Sequence, residues 1–493
     1  MSLLSLRNGA SVATREIPEL SAEAWREALV EAVAAGGRAV ALWASRTAGG
    51  ARHLTAVLAR DADASLALAR LPLAGDAFPP LGEACPQLAL FEREIAEQHG
   101  IRPEGRPSLP PLRFSRPEGP AVGCAGIHPV EGPEVHEVAV GPVHAGVIEP
   151  GHFRFQCHGE RVLRLDIALG YAHRGVEAGI ARGPAKRRIH YLETAAGDTT
   201  IGHATAYCEA IESLAGASAP PRGQALRAVA LELERLANHT GDLGALAGDV
   251  GFQPTAAFCG RLRGEWLNLT AELCGSRFGR GLVRPGGCAF DVEPARIERM
   301  MARLDAAMRD LAASADLLWG SPSVLARFEG TGRLTEESAR ELGLVGPAAR
   351  ACGLSRDVRR NHPTGMFRFA QIPIARWQSG DVFARAWVRW LEIERSAGFV
   401  REQLRSLPDG PVRAPVGAAL APDRLCVSLV EGWRGEICHV AATDASGALS
   451  QVKIVDPSFH NWTGLALAMR GQQISDFPLC NKSFNLSYCG FDL

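Results

Sequence analysis

The sequence predicts an α+β protein with three parts: a small α/β domain over residues 1–105, a proline-rich linker over residues 106–140, and a mainly α-helical bundle domain with β-hairpins over residues 141–493. Strand-length apolar runs occur in the first hundred residues, and eight of the 31 prolines fall between Arg102 and Pro133. In much of the remaining chain, apolar residues recur at helical spacing. A chain of 493 residues is long enough for this division.

Two helices and three strands are predicted in the first domain. Ser21 precedes a helix that carries Trp25 and ends at Gly36-Gly37, and a second helix passes through Phe91 and ends at Gly100. Between them lie short apolar runs that are typical of strands in one sheet, namely Ala39–Trp43, Leu54–Leu58 and Leu66–Leu71.

A β-hairpin is predicted at the entrance to the last domain. Residues alternate between apolar and polar on both sides of a His158-Gly159 turn, with the apolar positions at Phe153, Phe155, Cys157, Leu163, Leu165 and Ile167. The periodicity then becomes helical from Ile201, with Asp198 or Thr199 as the candidate N-cap and Gly216 as the stop. Further helices are predicted over residues 225–237, 265–273 and 294–318.

Composition and cysteine spacing exclude several classes of protein. A net charge of −1 gives no reason to expect binding to nucleic acid. The 12 cysteines are scattered, and the closest pair, Cys480 and Cys489, is nine positions apart. Structural zinc and an internal iron–sulfur cluster usually require closely spaced thiolates, so we expect this chain to bind no metal or cofactor of that kind. No signal region or membrane-spanning run is evident, which predicts a cytoplasmic protein.

Several motifs resemble those of a known family. The sequence RGVE at 174–177, followed by fifteen residues and Glu193, has the spacing of the first signature of nickel–iron hydrogenase large subunits. The neighbouring GPVHAGVIEPGHF resembles the complex I-related, membrane-bound hydrogenases of the formate hydrogenlyase and hydrogenase-4 type, as well as the C/D-type component of NADH-quinone oxidoreductase. Further motifs follow in the family order: ELERLANHTGDLGALAGDVGF, GRLRGEW, LVRPGG, GLSRDVRRNHPTG, GDVFARAWVRWLEIERS, VEGWRGEICHV and VKIVDPSFHNW.

The resemblance implies four metal-ligating cysteines, and this chain has none of them. The corresponding positions hold Ala196, Thr199, Ser458 and Asn461. Nickel in this setting requires soft thiolate ligands, which a methyl, a hydroxyl or a carboxamide cannot replace. The chain also continues for 37 residues beyond Asp456, which resembles the corresponding component of complex I. We therefore expect no nickel–iron site.

The resemblance also implies that the emptied cavity receives a quinone headgroup. His152 aligns with the histidine that would hydrogen-bond one quinone carbonyl, whereas the tyrosine expected for the other carbonyl is replaced by Gly197. Tyr207 lies further along the following helix, away from the motif position. The helix that begins near Asp198 is expected to present unpaired N–H groups to the cavity.

Each candidate residue has a structural and a functional interpretation. Glu177 is either a solvated helix residue or the proton-relay carboxylate that the resemblance implies, and His203 is either a structural histidine or a proton carrier. Arg174 either borders the cavity or pairs with Glu177 three residues later. Arg434 is either a cavity residue or an exposed residue at a strand end, and Asp198 is either a helix cap or a polar cavity group.

The function implied by the resemblance is that of the large subunit of a membrane-associated, complex I-like oxidoreductase. The implied partners are a small subunit carrying an iron–sulfur cluster and antiporter-like membrane subunits, through which the chain would lie peripherally on the inner face of the cell membrane. The main hypothesis is electron transfer to a quinone or similar acceptor in the cavity. The alternative is a catalytically silent scaffold, and an active hydrogenase is a remote third option.

Overall fold

The first hundred residues form a four-stranded antiparallel sheet covered by two helices. The computed structural model describes residues 3–46, 50–106, 109–113, 128–417 and 419–493. The sheet has the order β1-β5-β4-β3, and the helix caps expected from the sequence are present, since Ser21 accepts a hydrogen bond from the Ala24 N–H and Gly100 is left-handed with φ of 69°. The elements are β1 (Leu4–Leu6), β2 (Ser11–Ala13), α1 (Ala22–Ala34), β3 (Arg38–Arg46), β4 (Arg52–Arg60), β5 (Ser65–Leu73), β6 (Ala77–Phe78), α2 (Ala89–His99) and β7 (Arg102–Pro103).

A three-stranded antiparallel sheet follows. It consists of β8 (Val135–Val140), β9 (His152–His158) and β10 (Arg161–Ala168), with β9 in the centre. The predicted hairpin is β9–β10, and Phe153 and Phe155 are fully buried as the alternation requires. The linker was predicted to reach residue 140, but its last six residues form β8. Residues 107–108 and 114–127 of that linker lie outside the described residues.

Helices make up most of the next 240 residues. The helices α6 and α13 pack against each other, α7 packs against α6, and α8 packs against α7. The helices and short strands of this part are α3 (Val176–Arg182), α4 (Ala185–Leu192), α5 (Thr200–Leu214), α6 (Pro221–Asp249), α7 (Gln253–Cys274), β11 (Val283–Arg284), β12 (Gly287–Cys288), α8 (Pro294–Trp319), α9 (Pro322–Phe328), α10 (Glu336–Glu341), α11 (Gly346–Ala351), α12 (Val358–Asn361) and α13 (Val382–Arg405).

The C-terminal segment adds a sheet to which the N-terminal segment contributes a strand. The order is β15-β14-β13-β2, so β2 leaves its own domain and pairs with β13 through Leu425 opposite Val12. Three helices complete the chain. The elements are β13 (Arg424–Gly432), β14 (Gly435–Thr443), β15 (Leu449–Val455), α14 (Pro457–Ala468), α15 (Phe477–Phe484) and α16 (Tyr488–Phe491).

Buried ion pairs join the N-terminal sheet to the rest of the molecule. Arg38 on β3 makes a bidentate pair with Glu436 on β14. Lys453 Nζ on β15 lies 2.8 Å from Glu94 Oε1 on α2, and Arg113 Nη2 is also 2.8 Å from that oxygen. Because these charges are shielded from water, each needs its partner, which fixes α2 and β3 against β14 and β15.

A second cluster of buried charges lies where α6 and α13 meet β13. Its members are all almost fully buried and pair with one another: Arg235, Arg350, Arg359, Glu232, Glu392, Asp357 and Glu431. His239 joins it through a 2.7 Å contact from Nε2 to Glu392 Oε2. Among the described residues, no helix combines the length and apolar character needed to cross a membrane.

Candidate functional site

A cleft of about 810 Å³ opens where three parts of the chain meet: the loop between β8 and β9, the residues just before α5, and the segment from α15 to α16. Its polar lining includes His144, Asp198, Arg434 and Tyr488. Apolar lining comes from Phe155, Phe278 and Phe477. A cleft of this volume, lined by both apolar and polar side chains, is typical of small-molecule sites.

An ion pair closes the floor of this cleft. The Arg434 guanidinium makes a bidentate contact with the Asp198 carboxylate, with Nη2 2.8 Å from Oδ2, and its Cζ lies 3.9 Å from the centre of the Trp433 ring. Desolvation opposes ionisation of Asp198, but the guanidinium outweighs it and holds the pKa of that carboxyl below its usual range. Arg434 is 5% exposed and is therefore a cavity residue, as one of the two interpretations expected.

The four positions at which the resemblance implies cysteines are each used structurally, and one of them, Thr199, contacts this ion pair. Ala196 is buried. The Thr199 hydroxyl accepts hydrogen bonds from Trp433 Nε1 at 3.1 Å and Arg434 Nη1 at 3.3 Å. Ser458 Oγ accepts from the Ser487 N–H at 2.9 Å. Asn461 exchanges two 3.1 Å hydrogen bonds with the backbone of Val345.

These side chains do not fit a nickel–iron centre. They offer no thiolate, and the Asp198–Arg434 pair places a guanidinium beside the position of Thr199. Across the described ranges, no group of three or more His, Cys, Asp or Glu side chains is arranged to hold a metal ion.

Purified protein is expected to contain no stoichiometric nickel, because neutral oxygen and amide donors cannot replace four thiolates. The measurement is elemental analysis of protein produced with nickel and the hydrogenase maturation machinery present. A hydrogenase large subunit produced in the same cells serves as the control. Nickel approaching one atom per chain would contradict this expectation.

The start of α5 is capped differently from the sequence-based expectation. Thr199 is the N-cap residue, but it makes no side-chain capping bond, and Asp198 binds Arg434 instead of capping. The Ile201 and Gly202 N–H groups donate to the Glu234 carboxylate of α6 at 2.7 and 3.2 Å. The expected unpaired N–H groups at these two positions are therefore occupied. Burial raises the pKa of Glu234 to about 8, although both N–H groups act to lower it.

His203 lies at the centre of a buried row of titratable groups. Its Nε2 is 3.0 Å from Asp456 Oδ2, and its Nδ1 is 3.0 Å from His439 Nε2. Burial and the neighbouring His203 hold the pKa of His439 well below its usual range, so this imidazole is neutral. The Nδ1 atom of His439 is buried without a hydrogen-bond partner among the described residues. The row has the residue types and spacing needed for passing a proton.

Glu177 does not line the cleft and belongs to a separate polar network. Its Oε1 accepts the Ile454 N–H at 2.8 Å and lies 3.2 Å from Lys453 Nζ. Arg174 does not pair with it as one interpretation expected. The Arg174 guanidinium donates to the carbonyl oxygens of Thr194 and Ala195 at 2.8 and 2.9 Å and so fixes the loop that leads to the cleft. Glu177 is thus a partly buried, paired carboxylate.

The structure places His144 in the cleft where the sequence predicted His152. His152 is the first residue of β9, and alternation points Phe153 and Phe155 towards the core and the cleft, so His152 takes the opposite face. It is absent from the described residues that line the cleft, whereas His144 is present. Gly197 is at the cleft as predicted, and a Cβ added there would meet nothing within 4 Å.

Tyr488 is a cleft residue that the sequence analysis missed. Its hydroxyl lies 3.3 Å from His144 Nε2. The sequence did contain a signal for His144 and Tyr488, because both lie in segments that resemble the family. His144 belongs to GPVHAGV and Tyr488 to the C-terminal NLSYCGF. Sequence separation of 344 residues hid their proximity.

Comparison with known proteins agrees with the motifs. The family model of the respiratory-chain NADH dehydrogenase 49 kDa subunit matches residues 249–424. The carbon monoxide-induced hydrogenase of Rhodospirillum rubrum is 32% identical over 354 residues, which cover 71% of this chain and 97% of that protein. Formate hydrogenlyase subunit 5 of Escherichia coli K12 is 28% identical over 433 residues, which cover 83% of this chain and 76% of that protein. A subunit of the NADH-quinone oxidoreductase of Solibacter usitatus is 28% identical over 340 residues, which cover 68% of this chain and 91% of that protein.

The fold resembles that of one chain in the solved structure of the membrane-bound sulfane sulfur reductase. That assembly is an archaeal respiratory membrane complex. The similarity has a TM-score of 0.68 at 23% identity and covers 73% of this chain and 99% of that chain. The predicted α+β class and the predicted family are thereby confirmed. The chain belongs to the family shared by the 49 kDa subunit of the respiratory-chain NADH dehydrogenase and these hydrogenase relatives.

Proposed function

We propose that this chain is the large subunit of a membrane-bound, complex I-like or hydrogenase-like oxidoreductase, and that its cleft passes electrons to a quinone or a similar small acceptor. The observation that carries the proposal is the cleft itself. It has about 810 Å³ of space, and its lining includes residues of several of the quoted motifs, among them His144, Asp249 and Arg434. The positions of the expected metal ligands hold Ala196, Thr199, Ser458 and Asn461, which offer no thiolate to a metal.

The relatives support an assembly with other subunits. One of them is a subunit of an NADH-quinone oxidoreductase, another is a subunit of formate hydrogenlyase, and the structural neighbour is part of a respiratory membrane complex. By this analogy the electrons come from an iron–sulfur cluster in a small partner subunit, and antiporter-like subunits hold the assembly to the inner face of the membrane. Fold and family support this architecture more strongly than they support a particular activity.

Reduction of a quinone consumes two electrons and two protons, so the chain must also deliver protons. The Asp456–His203–His439 row is suited to this task because each neighbouring pair is within 3.0 Å and the imidazoles can donate and accept at different nitrogens. Glu177 is the second candidate, since it is a partly buried carboxylate beside Lys453. Both His203 and Glu177 were predicted as proton carriers, and both remain proposals.

Replacing Glu177 by Gln is expected to slow turnover of the intact complex by at least about tenfold while preserving assembly, because the amide keeps the shape and removes the titratable proton. Turnover is measured as quinone-dependent oxidation of the reduced cluster. The Glu298→Gln variant, which changes an exposed carboxylate on α8, is the control. Unchanged turnover in Glu177→Gln would assign this residue a structural role.

A scaffold function is the second candidate, and the Asp198–Arg434 pair favours it because it fills the floor of the cleft with matched charges. The two candidates differ in one measurement. In the intact complex with its cluster reduced, an electron-transfer subunit supports cluster oxidation on addition of a quinone, followed by electron paramagnetic resonance. A scaffold leaves the cluster reduced. No quinone-dependent oxidation under these conditions would refute electron transfer and support the scaffold.

A further inference from the structure

Tyr488 and His144 form a paired polar group in the wall of the cleft. Tyr488 is the first residue of α16, and His144 lies in the loop between β8 and β9. The Tyr488 hydroxyl is 3.3 Å from His144 Nε2, a long hydrogen bond that leaves the hydroxyl free to turn towards a stronger acceptor. The Asn481 side chain, which also lines the cleft, is a second hydrogen-bonding neighbour of Tyr488.

The phenol ring is held in one orientation by its surroundings. It packs edge-on against Trp462 and Phe153, with ring centres 5.1 and 6.4 Å apart. Gly151 lies directly beneath it, and a Cβ at that position would be 2.4 Å from Tyr488 Cε1, so no larger residue fits without displacing the ring. A hydroxyl fixed in this way loses little conformational freedom when it binds a ligand.

The segment that carries Tyr488 is anchored independently of the cleft. Asp492 accepts hydrogen bonds from the Gly170 N–H at 2.8 Å and the Ala172 N–H at 2.9 Å, and Arg113 donates to the Phe491 carbonyl at 2.9 Å. Removing the Tyr488 hydroxyl therefore leaves α16 in place. This makes the hydroxyl separable from the fold by substitution.

Both members of the pair are neutral near pH 7. Burial raises the pKa of Tyr488 to about 12, and Glu149 acts in the same direction. Burial lowers the pKa of His144. The tyrosine therefore keeps its hydroxyl proton and can donate it in a hydrogen bond. The imidazole carries no positive charge.

We propose that the Tyr488 hydroxyl, held beside His144, donates the hydrogen bond by which this cleft recognises a carbonyl oxygen of a quinone-type acceptor. The inference rests on the proposed function and adds the residue that selects the acceptor. Two other polar groups of the cleft are already engaged: Arg434 binds Asp198, and the Ser487 hydroxyl accepts from the Gly490 N–H at 2.9 Å. Tyr488 also supplies a phenol to a cleft in which position 197 is glycine.

The test compares two probes on the intact complex. The first is 2,3-dimethyl-1,4-naphthoquinone, and the second is 1,4-dimethylnaphthalene, an aromatic of similar shape that has no carbonyl. Tyr488→Phe is expected to raise the Kd of the quinone about tenfold, the effect of one hydrogen bond, and to leave the Kd of the hydrocarbon unchanged. The matched control is Tyr207→Phe, because Tyr207 is equally buried at 5% exposure but lies on α5 and contacts Arg188.

The outcomes separate the inference from the proposed function. If the quinone binds equally well to the unmodified and Tyr488→Phe complexes, the role of Tyr488 is refuted and the proposed function stands. If Tyr488→Phe weakens both probes equally, the residue shapes the cleft without recognising a carbonyl, which also refutes the inference. If the unmodified complex binds no quinone, both proposals fail. As a second variant, Gly151→Ala is expected to displace the ring and to weaken quinone binding at least as much as Tyr488→Phe.

Discussion

Replacing Arg350 by Met is expected to lower the free energy of unfolding by about 3–5 kcal/mol. Arg350 is fully buried, with Nη1 2.7 Å from Glu431 Oε1 and Nη2 2.5 Å from Glu392 Oε1. Methionine fills similar space but leaves both carboxylates without their main cation. Glu431 can relieve part of the cost by taking up a proton, since burial and Asp357 already raise its pKa to about 7. The pKa of Glu392 is held well below its usual range despite burial, chiefly by Arg350, so its carboxylate bears most of the loss.

The measurement is urea-induced unfolding of the purified chain, followed by far-UV circular dichroism at pH 8, above the pKa of about 7 that Glu431 has in the unmodified chain. Arg340→Met is the control, because Arg340 makes an exposed ion pair with Glu336 at 2.6 Å and with about half of each side chain in solvent. Such a pair contributes about 0.5 kcal/mol or less. If Arg350→Met costs no more than this control, the buried cluster does not stabilise the fold as argued.

Lowering the pH from 7 to 5 is expected to remove about 2 kcal/mol of stability through His460 alone. Burial lowers the pKa of His460 from 6.5 to about 4, so the unfolded chain takes up a proton in this range and the folded chain does not. Stability is therefore present above pH 6.5 and is lost as the pH falls towards 4. The side chain is 5% exposed and packs against the Phe91 ring at 5.8 Å, and the charges that act on it include both Glu436 and Arg38.

Other groups also titrate in this range, so the contribution of His460 must be isolated by difference. The free energy of unfolding is measured at pH 7 and pH 5 for the unmodified chain, for His460→Gln and for His136→Gln, which changes an exposed histidine on β8. His460→Gln should lose about 2 kcal/mol less than the unmodified chain on acidification, and His136→Gln should follow the unmodified chain. Equal pH dependence in all three would show that His460 titrates normally.

Local patterns predicted the secondary structure well where the pattern was long. The three apolar runs became β3, β4 and β5, and the alternation around His158-Gly159 became β9–β10. What the patterns did not show is which strands pair over long distances. β8 is short and half-exposed, and β2 has three residues, so neither has a periodic signal, and both are fixed by the neighbours they meet in the folded chain.

The structure brings some of the predicted site residues together in one cleft and leaves others outside it. Gly197, Asp198 and Arg434 line the cleft, and of the four positions without the expected cysteines Thr199 contacts Arg434. His152 was expected in the cleft because motif alignment does not specify which face of a strand a residue takes. Tyr488 was missed because its partner His144 is 344 positions away, and only packing of α16 against the β8–β9 loop brings them together.

The exchange of β2 into the C-terminal sheet has a consequence for how the chain is made. Val12 on β2 pairs with Leu425 on β13. A strand near the start of the chain therefore finds its partner only in residues that are synthesised more than four hundred positions later. Until β13 leaves the ribosome, β2 has no partner, and Arg38 has no Glu436 to neutralise it. The first domain can therefore collapse early but cannot complete its contacts during translation. The strand that waits longest for its partner is β2, whereas β1 can already pair with β5.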